Sequence, residues 1–162
     1  MITAMRDVDF SKVYDENKKL VWSLVSRYAS NQQDREDLFQ EVFFKIHKGL
    51  GKFRGDSSLE TWIYRIAVNT AMNHLKKHKR LEAFKDFLAG LKLVERVEEP
   101  ELPDAAIWKP LEKLNPLQRT VLLLSDVEEK KLEEIASLLK LPIGTVKSNL
   151  HRAREIVRKE LG

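Results

Sequence analysis

The 162-residue sequence contains no cysteine. That excludes a disulfide framework, a thiolate metal site and a cysteine nucleophile, and it fits a reducing compartment, the cytoplasm. Long apolar runs are also missing; the longest are a few residues, far short of a membrane span. The first seven residues, Met1 to Asp7, carry charge early and lack the apolar stretch of a signal peptide. No sustained period-two alternation occurs, so strands have little support. There is no glycine-rich phosphate loop, no internal repeat and no low-complexity tract. Glycine and proline are scarce, six and five residues, and four of the prolines fall between positions 100 and 116. Proline lacks a backbone donor and disfavours helix in the residue before it, so that stretch reads as boundary and linker.

Charge of one sign is scarce too: 29 Lys and Arg stand against 25 Asp and Glu, a net of +4. Its distribution says more than its sum. Residues 1–80 hold 15 basic and 10 acidic side chains, residues 81–110 hold four and seven, and residues 111–162 hold ten and eight. Two basic blocks flank an acidic middle whose 98–104 segment is the most linker-like. Hydrophobic residues make up 43%, enough for a core. At roughly 100–200 residues per domain, the length allows one ordinary domain or two small ones.

What is abundant is helical periodicity. Leu20, Val21, Leu24, Val25 and Tyr28 mark one helix, and Leu38, Phe39, Val42, Phe43 and Ile46 a second. Leu59, Ile63, Ile66, Val68 and Met72 mark a third, over about 58–79. The segment 51–57 breaks the second from the third: its two glycines can take positive φ, and Ser57 or Ser58 can cap the third helix. Four short helices are predicted over 111–114, 116–124, 132–139 and 143–161. The expected architecture is all-α, two small helical domains at 1–80 and 105–162 joined by an acidic, proline-bearing linker at 81–104.

Residues 131–161 carry the most specific local pattern. Ile135, Ala136 and Leu139 form one apolar stripe; Val146, Leu150, Ala153 and Val157 form another, at spacings of four, three and four. Lys140-Leu141-Pro142 separates them, and small Ala136 permits close helix approach, the pattern of a helix-turn-helix. Opposite the second stripe lie Lys147, His151, Arg154 and Arg158, with Ser148 and Arg152 beside them. One buried face and one basic, hydrogen-bonding face suit a DNA major groove. The candidate contacts are Thr145, Lys147, Ser148, His151, Arg152, Arg154 and Arg158. Lys147 and Ser148 sit in the first turn, where base-edge contacts concentrate, whereas Arg154 and Arg158 lie where phosphates are met. A basic helix alone is more often a solvated face. The turn length, the Gly144-Thr145-Val146 start and the preceding amphipathic helix shift the balance to DNA.

In the N-terminal half, the spacing of Leu38, Val42 and Ile46 turns Asp37, Gln40, Glu41 and Lys48 outward beside Phe44. An acid-amide strip edged by an exposed aromatic is a protein-binding surface, with a merely solvated face as the simpler reading. The loop Phe53, Arg54, Gly55, Asp56 and Ser57, followed by Arg65 and Asn69, suits single-stranded nucleic acid. Exposed amides can surround an extruded base, and an Asn side chain offers its edge both donor and acceptor. Trp62 and Tyr64 have faces for stacking, but aromatics at helical spacing are more often core, and Trp62 is assigned there. Lys76, Lys77 and Arg80 end the third helix with cations that neutralise phosphates, complement the helix dipole, or both. His74 and His78 have the i, i+4 spacing of zinc ligands, but lysines surround them and no thiolate exists, so no metal or cofactor is expected.

The block Asp37-Leu-Phe-Gln-Glu41-Val-Phe-Phe-Lys-Ile46, the block Phe53-Arg-Gly-Asp-Ser57 through Trp62 to Asn69, and the helix-turn-helix behind them occur in a telling order. Together they resemble the extracytoplasmic-function (ECF) group of bacterial RNA polymerase sigma factors, over roughly residues 10–80 and 105–161. The resemblance implies a first domain (region 2) that opens the −10 promoter element and a second (region 4) that reads the −35 element. It implies that Asp37, Gln40, Glu41, Phe44 and Lys48 dock on the β′ clamp helices of core polymerase, with the β flap as a further contact. It also implies that the 53–57 loop and Asn69 capture a flipped −10 base. The implied −10 set is Phe53, Arg54, Asp56, Ser57, Arg65, Asn69, Lys76, Lys77 and Arg80. An anti-sigma factor is an implied partner, alongside promoter DNA; a small-molecule substrate and membrane insertion are not. Two positions depart from the pattern: Asn149 and Lys147 stand where Arg is frequent, and a shorter or single-point donor changes which bases are favoured. Glu129-Lys130-Lys131 stands where relatives place a Gly-containing turn. The competing readings are a free-standing helix-turn-helix regulator with an N-terminal dimerisation or sensor domain, and a small helical enzyme. The latter has neither a nucleophile–base pair nor a phosphate loop to work with.

Overall fold

The computed structural model of the chain describes residues 8–95 and 105–162, without the side chains of 105–108, and its described residues contain helices and no strand. In order these are α1 (Phe10–Val25), α2 (Gln32–Leu50), α3 (Leu59–Gly90), a 3-10 helix (Ala105–Lys113), α4 (Pro116–Leu122), a π-helical turn (Leu123–Val127), α5 (Leu132–Leu139) and α6 (Ile143–Leu161). The chain divides into two compact units, Met1–His74 and Leu75–Gly162. The 98–104 segment, expected to be the most linker-like, lies outside the described residues.

In the first unit the helix starts are set by side-chain caps. The Asp9 carboxylate accepts from the Ser11 N–H at 3.0 Å, and the Asn31 side chain accepts from the Asp34 N–H at 2.8 Å. The Ser58 hydroxyl accepts from the Thr61 N–H at 3.1 Å, so of the two serines offered by the sequence Ser58 is the one that caps. The core combines Val13, Val21, Leu24 and Val25 of α1 with Leu38, Val42, Phe43, Ile46 and Leu50 of α2 and Ile63, Tyr64, Ala67, Val68 and Ala71 of α3. α1 ends at Val25, so Tyr28, buried as the periodicity predicts, sits in the turn beyond it. α2 meets α3 where a Cβ on Gly49 would lie 2.8 Å from the Trp62 ring; only glycine lets the indole settle there. Lys45 Nζ also donates to the Thr70 hydroxyl at 3.3 Å.

The third helix is longer than its spacing predicts. It continues past Lys79 to Gly90, making residues 81–90, assigned to the linker from sequence, helical. Its last turns keep an apolar face, Leu81, Phe84 and Phe87, but that face is exposed, so apolar spacing there reflects no packing among the described residues. Lys79 donates to the Leu114 carbonyl, and burial, with Arg119 close by, holds its ammonium pKa below the usual lysine value.

In the second unit Pro110 lies inside the 3-10 helix and Pro116 at the first position of α4, so two of the clustered prolines shape helices rather than a linker. The α4 start is a full capping box: the Asn115 side chain accepts from the Gln118 N–H at 2.8 Å, and the Gln118 side chain accepts from the Asn115 N–H at 3.0 Å. The 116–124 helix predicted from sequence gives way at Leu123 to a π turn. Thr120, Val121 and Leu122 at the end of α4 and Leu123 and Leu124 at the start of the π turn are all buried, a run of five that a regular amphipathic stripe does not produce. Ile135 and Leu138 of α5 and Val146, Leu150 and Ala153 of α6 complete the core with Leu111 and Leu114. Three non-glycine residues here occupy the left-handed region: Lys92 beyond α3 at φ 59°, and Glu129 after the π turn and Lys140 at the end of α5, both at φ 55°. Each L residue so placed costs about 1–2 kcal/mol. Lys140→Gly or Glu129→Gly is expected to stabilise the fold by about 0.5–1 kcal/mol, the relief being partly offset by the greater freedom of glycine in the unfolded chain. Urea denaturation of each variant reads this as a raised midpoint at unchanged slope.

Candidate nucleic-acid and protein interfaces

The helix-turn-helix closes through backbone bonds. Lys140 turns left-handed, letting the Leu141 N–H reach the Ala136 carbonyl at 3.0 Å and end α5 sharply. Pro142 then caps α6, its carbonyl accepting from the Thr145 and Val146 N–H groups at 3.0 and 3.3 Å. With Val146, Leu150 and Ala153 buried, helical geometry turns Lys147, His151 and Arg158 outward as one row, with Ser148 and Arg152 beside it; all five are exposed. Thr145 is half-buried, its carbonyl accepting from Asn149 Nδ2 at 2.8 Å and from the Ser148 hydroxyl at 3.1 Å. Asn149, the departure from the arginine frequent in the ECF pattern, thus turns its amide back onto its own helix. His151 Nε2 lies 3.4 Å from the Glu155 carboxylate.

Arg154, on the same row, is held from below. Its Nη2 and Nε donate to the two Asp126 carboxylate oxygens at 2.6 and 3.0 Å, a bidentate pair between α6 and the π turn. The guanidinium hydrogen bond, opposed by desolvation, keeps the Asp126 carboxyl below the usual carboxylate range, and the same bond raises the Arg154 pKa. Sequence reasoning assigns Arg154 to phosphates and misses Asp126, whose partner is 28 residues away and visible only once the π turn is formed.

The second face belongs to α3 and the loop before it. Phe53 stacks at a tilt on Trp62, ring centroids 5.1 Å apart, and Trp62 is half-buried between that ring and Gly49. Gly55 takes φ 76°, and Arg54 and Asp56 at the turn are exposed. Ser57 is half-buried and donates to the Ser58 carbonyl at 3.2 Å. Asn69 is exposed on the face opposite Ala67, Val68 and Ala71, one turn along from Arg65. The Arg65 Nε is buried without a hydrogen-bond partner, while Tyr64 is core. Lys76, Lys77 and Arg80 are exposed further along α3.

The third face is the outer side of α2. Asp37, Gln40, Glu41 and Lys48 are all exposed around Phe44, itself 62% exposed, with the Lys48 ammonium 5.2 Å from the Phe44 ring. Asp37 accepts from Gln33 Nε2 at 2.9 Å, and Glu41 lies 3.3 Å from the Lys45 ammonium. Among the described residues no group of three or more His, Cys, Asp or Glu could hold a metal, and no helix is long and apolar enough to cross a membrane.

The family model for sigma-70 region 2 matches residues 13–81, and that for sigma-70 region 4 matches residues 105–157. The chain is 36% identical over 154 residues to the RNA polymerase sigma-H factor of Pseudomonas aeruginosa, covering 87% of this chain and 80% of the relative. It is 37% identical over 150 residues to the ECF RNA polymerase sigma-E factor of Escherichia coli, 85% and 78% of the two chains. The solved structure of the sigma factor RpoE from Bartonella quintana, in complex with the anti-sigma factor NepR, is similar with a TM-score of 0.68 over 94% of this chain and 96% of that one, at 23% identity.

The pair on α6 has a pH signature. A carboxyl whose folded pKa lies below its unfolded value contributes stability above the unfolded value and loses it as pH falls through the folded one. Asp126→Asn is expected to destabilise by about 0.5–1 kcal/mol at pH 7, modest because both side chains are over a third exposed. The gap between variant and parent begins to narrow near the unfolded carboxylate value, about pH 4, and goes on narrowing as pH falls through the lower folded one. Urea midpoints measured from pH 7 downward check this; a gap that does not narrow at all below about pH 4 assigns the loss to packing instead.

Proposed function

The chain belongs to the ECF group of sigma-70 factors, and on that premise we propose a division of labour among its three exposed faces. As a sigma factor it directs core RNA polymerase to specific promoters. Residues 105–162 read the −35 element in the major groove, with Lys147, Ser148, His151 and Arg152 at base edges and Thr145 beside them. Arg158, and Arg154 held by Asp126, meet phosphates. Residues 1–80 bind core polymerase and melt the −10 element: the loop of Phe53, Arg54, Asp56 and Ser57 with Arg65 and Asn69 receives the flipped base, and Lys76, Lys77 and Arg80 neutralise backbone phosphates. Asp37, Gln40, Glu41, Phe44 and Lys48 dock on the β′ clamp helices, and the second domain meets the β flap. The connector of 81–104 begins as helix to Gly90 and carries an excess of acidic residues. An anti-sigma factor is the regulating partner, the work is done in the cytoplasm, and the chain contributes binding and no chemistry of its own.

The observation that carries this reading is α6: three buried side chains on one side and a row of exposed cations and hydrogen-bonding groups on the other, presented by a helix-turn-helix. The match of residues 13–81 to a sigma region 2 supports polymerase binding over the dimerisation or sensor domain of the competing reading. Run-off transcription with purified core polymerase on a fragment library tests the whole; a strong promoter footprint by the chain without core polymerase would overturn it. Lys147→Ala or Arg152→Ala is expected to weaken −35 binding by about 1–3 kcal/mol where the side chain contacts a base, read by footprinting the holoenzyme. Asn69→Ala is expected to impair open-complex formation, measured by permanganate reactivity, with core binding intact. Loss of core binding instead identifies Asn69 as a folding residue.

A further inference from the structure

The distal half of α3 carries a face that none of the three interfaces uses. Leu81, Phe84 and Phe87 are exposed, the two rings at 56% and 61%, and so are Leu91, Leu93 and Val94 just beyond the helix. This face is no overhang of the core. α3 packs into the first unit through Ile63, Ala67, Ala71 and Leu75, and at about 100° per residue that stripe continues through His78 and Glu82, which are polar. Leu81, Phe84 and Phe87 lie on the other side of the helix. Lys79, where the helix meets the Leu114 carbonyl, also lies away from them. The far end is closed by a Schellman motif. Lys92 turns left-handed, the Leu93 N–H reaches the Leu88 carbonyl and the Lys92 N–H the Ala89 carbonyl, both at 3.0 Å. The helix therefore ends in a built apolar tip.

Charge around the face is sorted by sign. Lys77 and Arg80 precede Leu81 on the same side, with Lys76 on the flank, and all three are exposed. The acids of these turns, Glu82 and Asp86, lie on the opposite side, where Glu82 meets the Lys85 ammonium at 3.7 Å. An apolar strip led by cations and cleared of acids complements an anionic surface with an apolar interior. Nucleic-acid bases stack on the two rings but gain little from Leu81, Leu91, Leu93 and Val94, whereas acyl chains accept rings and aliphatic groups alike. A second copy of the chain brings the same cations and no anion to the face. We propose that residues 76–94 lie on an anionic lipid surface. Leu81, Phe84, Phe87 and the apolar tip enter the acyl boundary, and Lys76, Lys77 and Arg80 meet headgroup phosphates. The segment lies on the bilayer; no helix among the described residues is long and apolar enough to cross one. Lys76, Lys77 and Arg80 are also the cations assigned above to −10 phosphates. On that assignment, lipid and promoter compete for one side of α3; the lipid binding itself does not rest on it.

The test is flotation of the full chain with vesicles of phosphatidylglycerol and phosphatidylethanolamine, against neutral phosphatidylcholine vesicles. The parent is expected to float with the anionic vesicles alone, and less as salt is raised. The double variant Phe84→Ser/Phe87→Ser changes two exposed side chains, so circular dichroism and melting midpoint are expected to hold while vesicle binding weakens at least about tenfold. Because the chain has no cysteine, Leu91→Cys and Asp86→Cys each place a single thiol for an environment-sensitive dye, one at the apolar tip and one opposite the face. The dye at 91 is expected to shift to the blue on anionic vesicles and the dye at 86 to stay unchanged. Binding without preference for anionic lipid, a double variant within twofold of the parent, or equal shifts at 91 and 86 overturns the proposal. So does a double variant that keeps vesicle binding but loses affinity for a −10 oligonucleotide, or that dissolves a dimer seen by sedimentation; these outcomes assign the face to nucleic acid or to a second copy. Holoenzyme in an open promoter complex is expected to stay off the vesicles. If it floats with them, the competition for these cations fails and the lipid binding stands.

Discussion

Three side chains on α6, Val146, Leu150 and Ala153, are buried against the second unit's core, and the remainder of that unit is arranged around their burial. Each of the larger two contributes about 1.5–3 kcal/mol by leaving water. At 3.6 residues per turn, fixing that stripe leaves no freedom over what faces out: the row Lys147, His151 and Arg158 is set by the geometry once the stripe is in place. The αL residue at Lys140, the sharp end of α5 and the carbonyl cap from Pro142 serve the same constraint, setting α6 at the angle its apolar stripe requires. Recognition here is the remainder left by packing.

The first unit works under the same rule with different materials. Its α2 and α3 bury apolar stripes, and their outer faces carry an acid-amide strip and a polar, cationic strip respectively. The Gly49–Trp62 contact ties the two, since the indole occupies the space a side chain at 49 would take and in turn supports Phe53 at the start of the loop. The position of the loop we assign to single-stranded DNA thus depends on a glycine in the helix we assign to polymerase.

Much of this was legible in the sequence because apolar spacing is a direct record of burial. Leu38, Val42 and Ile46, or Val146, Leu150 and Ala153, announce both a helix and its inner face, and the exposed sets emerge by subtraction. What was not legible depended on other physics. The end of α3 is hidden because the cations at 76–80 and the acids beyond them resemble a helix end and a tether, while Leu81, Phe84 and Phe87 continue the spacing without any core to meet. The π turn is invisible because Thr120 to Leu124 are buried in succession and carry no period. Lys140 and Glu129 give no sign of a left-handed backbone, since neither residue type favours one; only the missing glycine near 129 marks the spot. Arg154 is legible as a cation of the recognition row, but its tether to Asp126 cannot be read from residues 28 positions apart.

That tether has a consequence for how such a domain can vary. A π turn is an α-helix widened locally by an additional residue, and each residue of helix rotates the chain beyond it by about 100°. Asp126 sits within the turn, so deleting one of Leu123, Leu124 or Ser125 ahead of it swings the aspartate away from α6 without altering either member of the pair. The link between the recognition helix and its support is therefore open to change by insertion and deletion as well as by substitution. A comparison of sequences that scores only residue identity at 126 and 154 would overlook a lineage in which the pair was gained or lost through chain length alone.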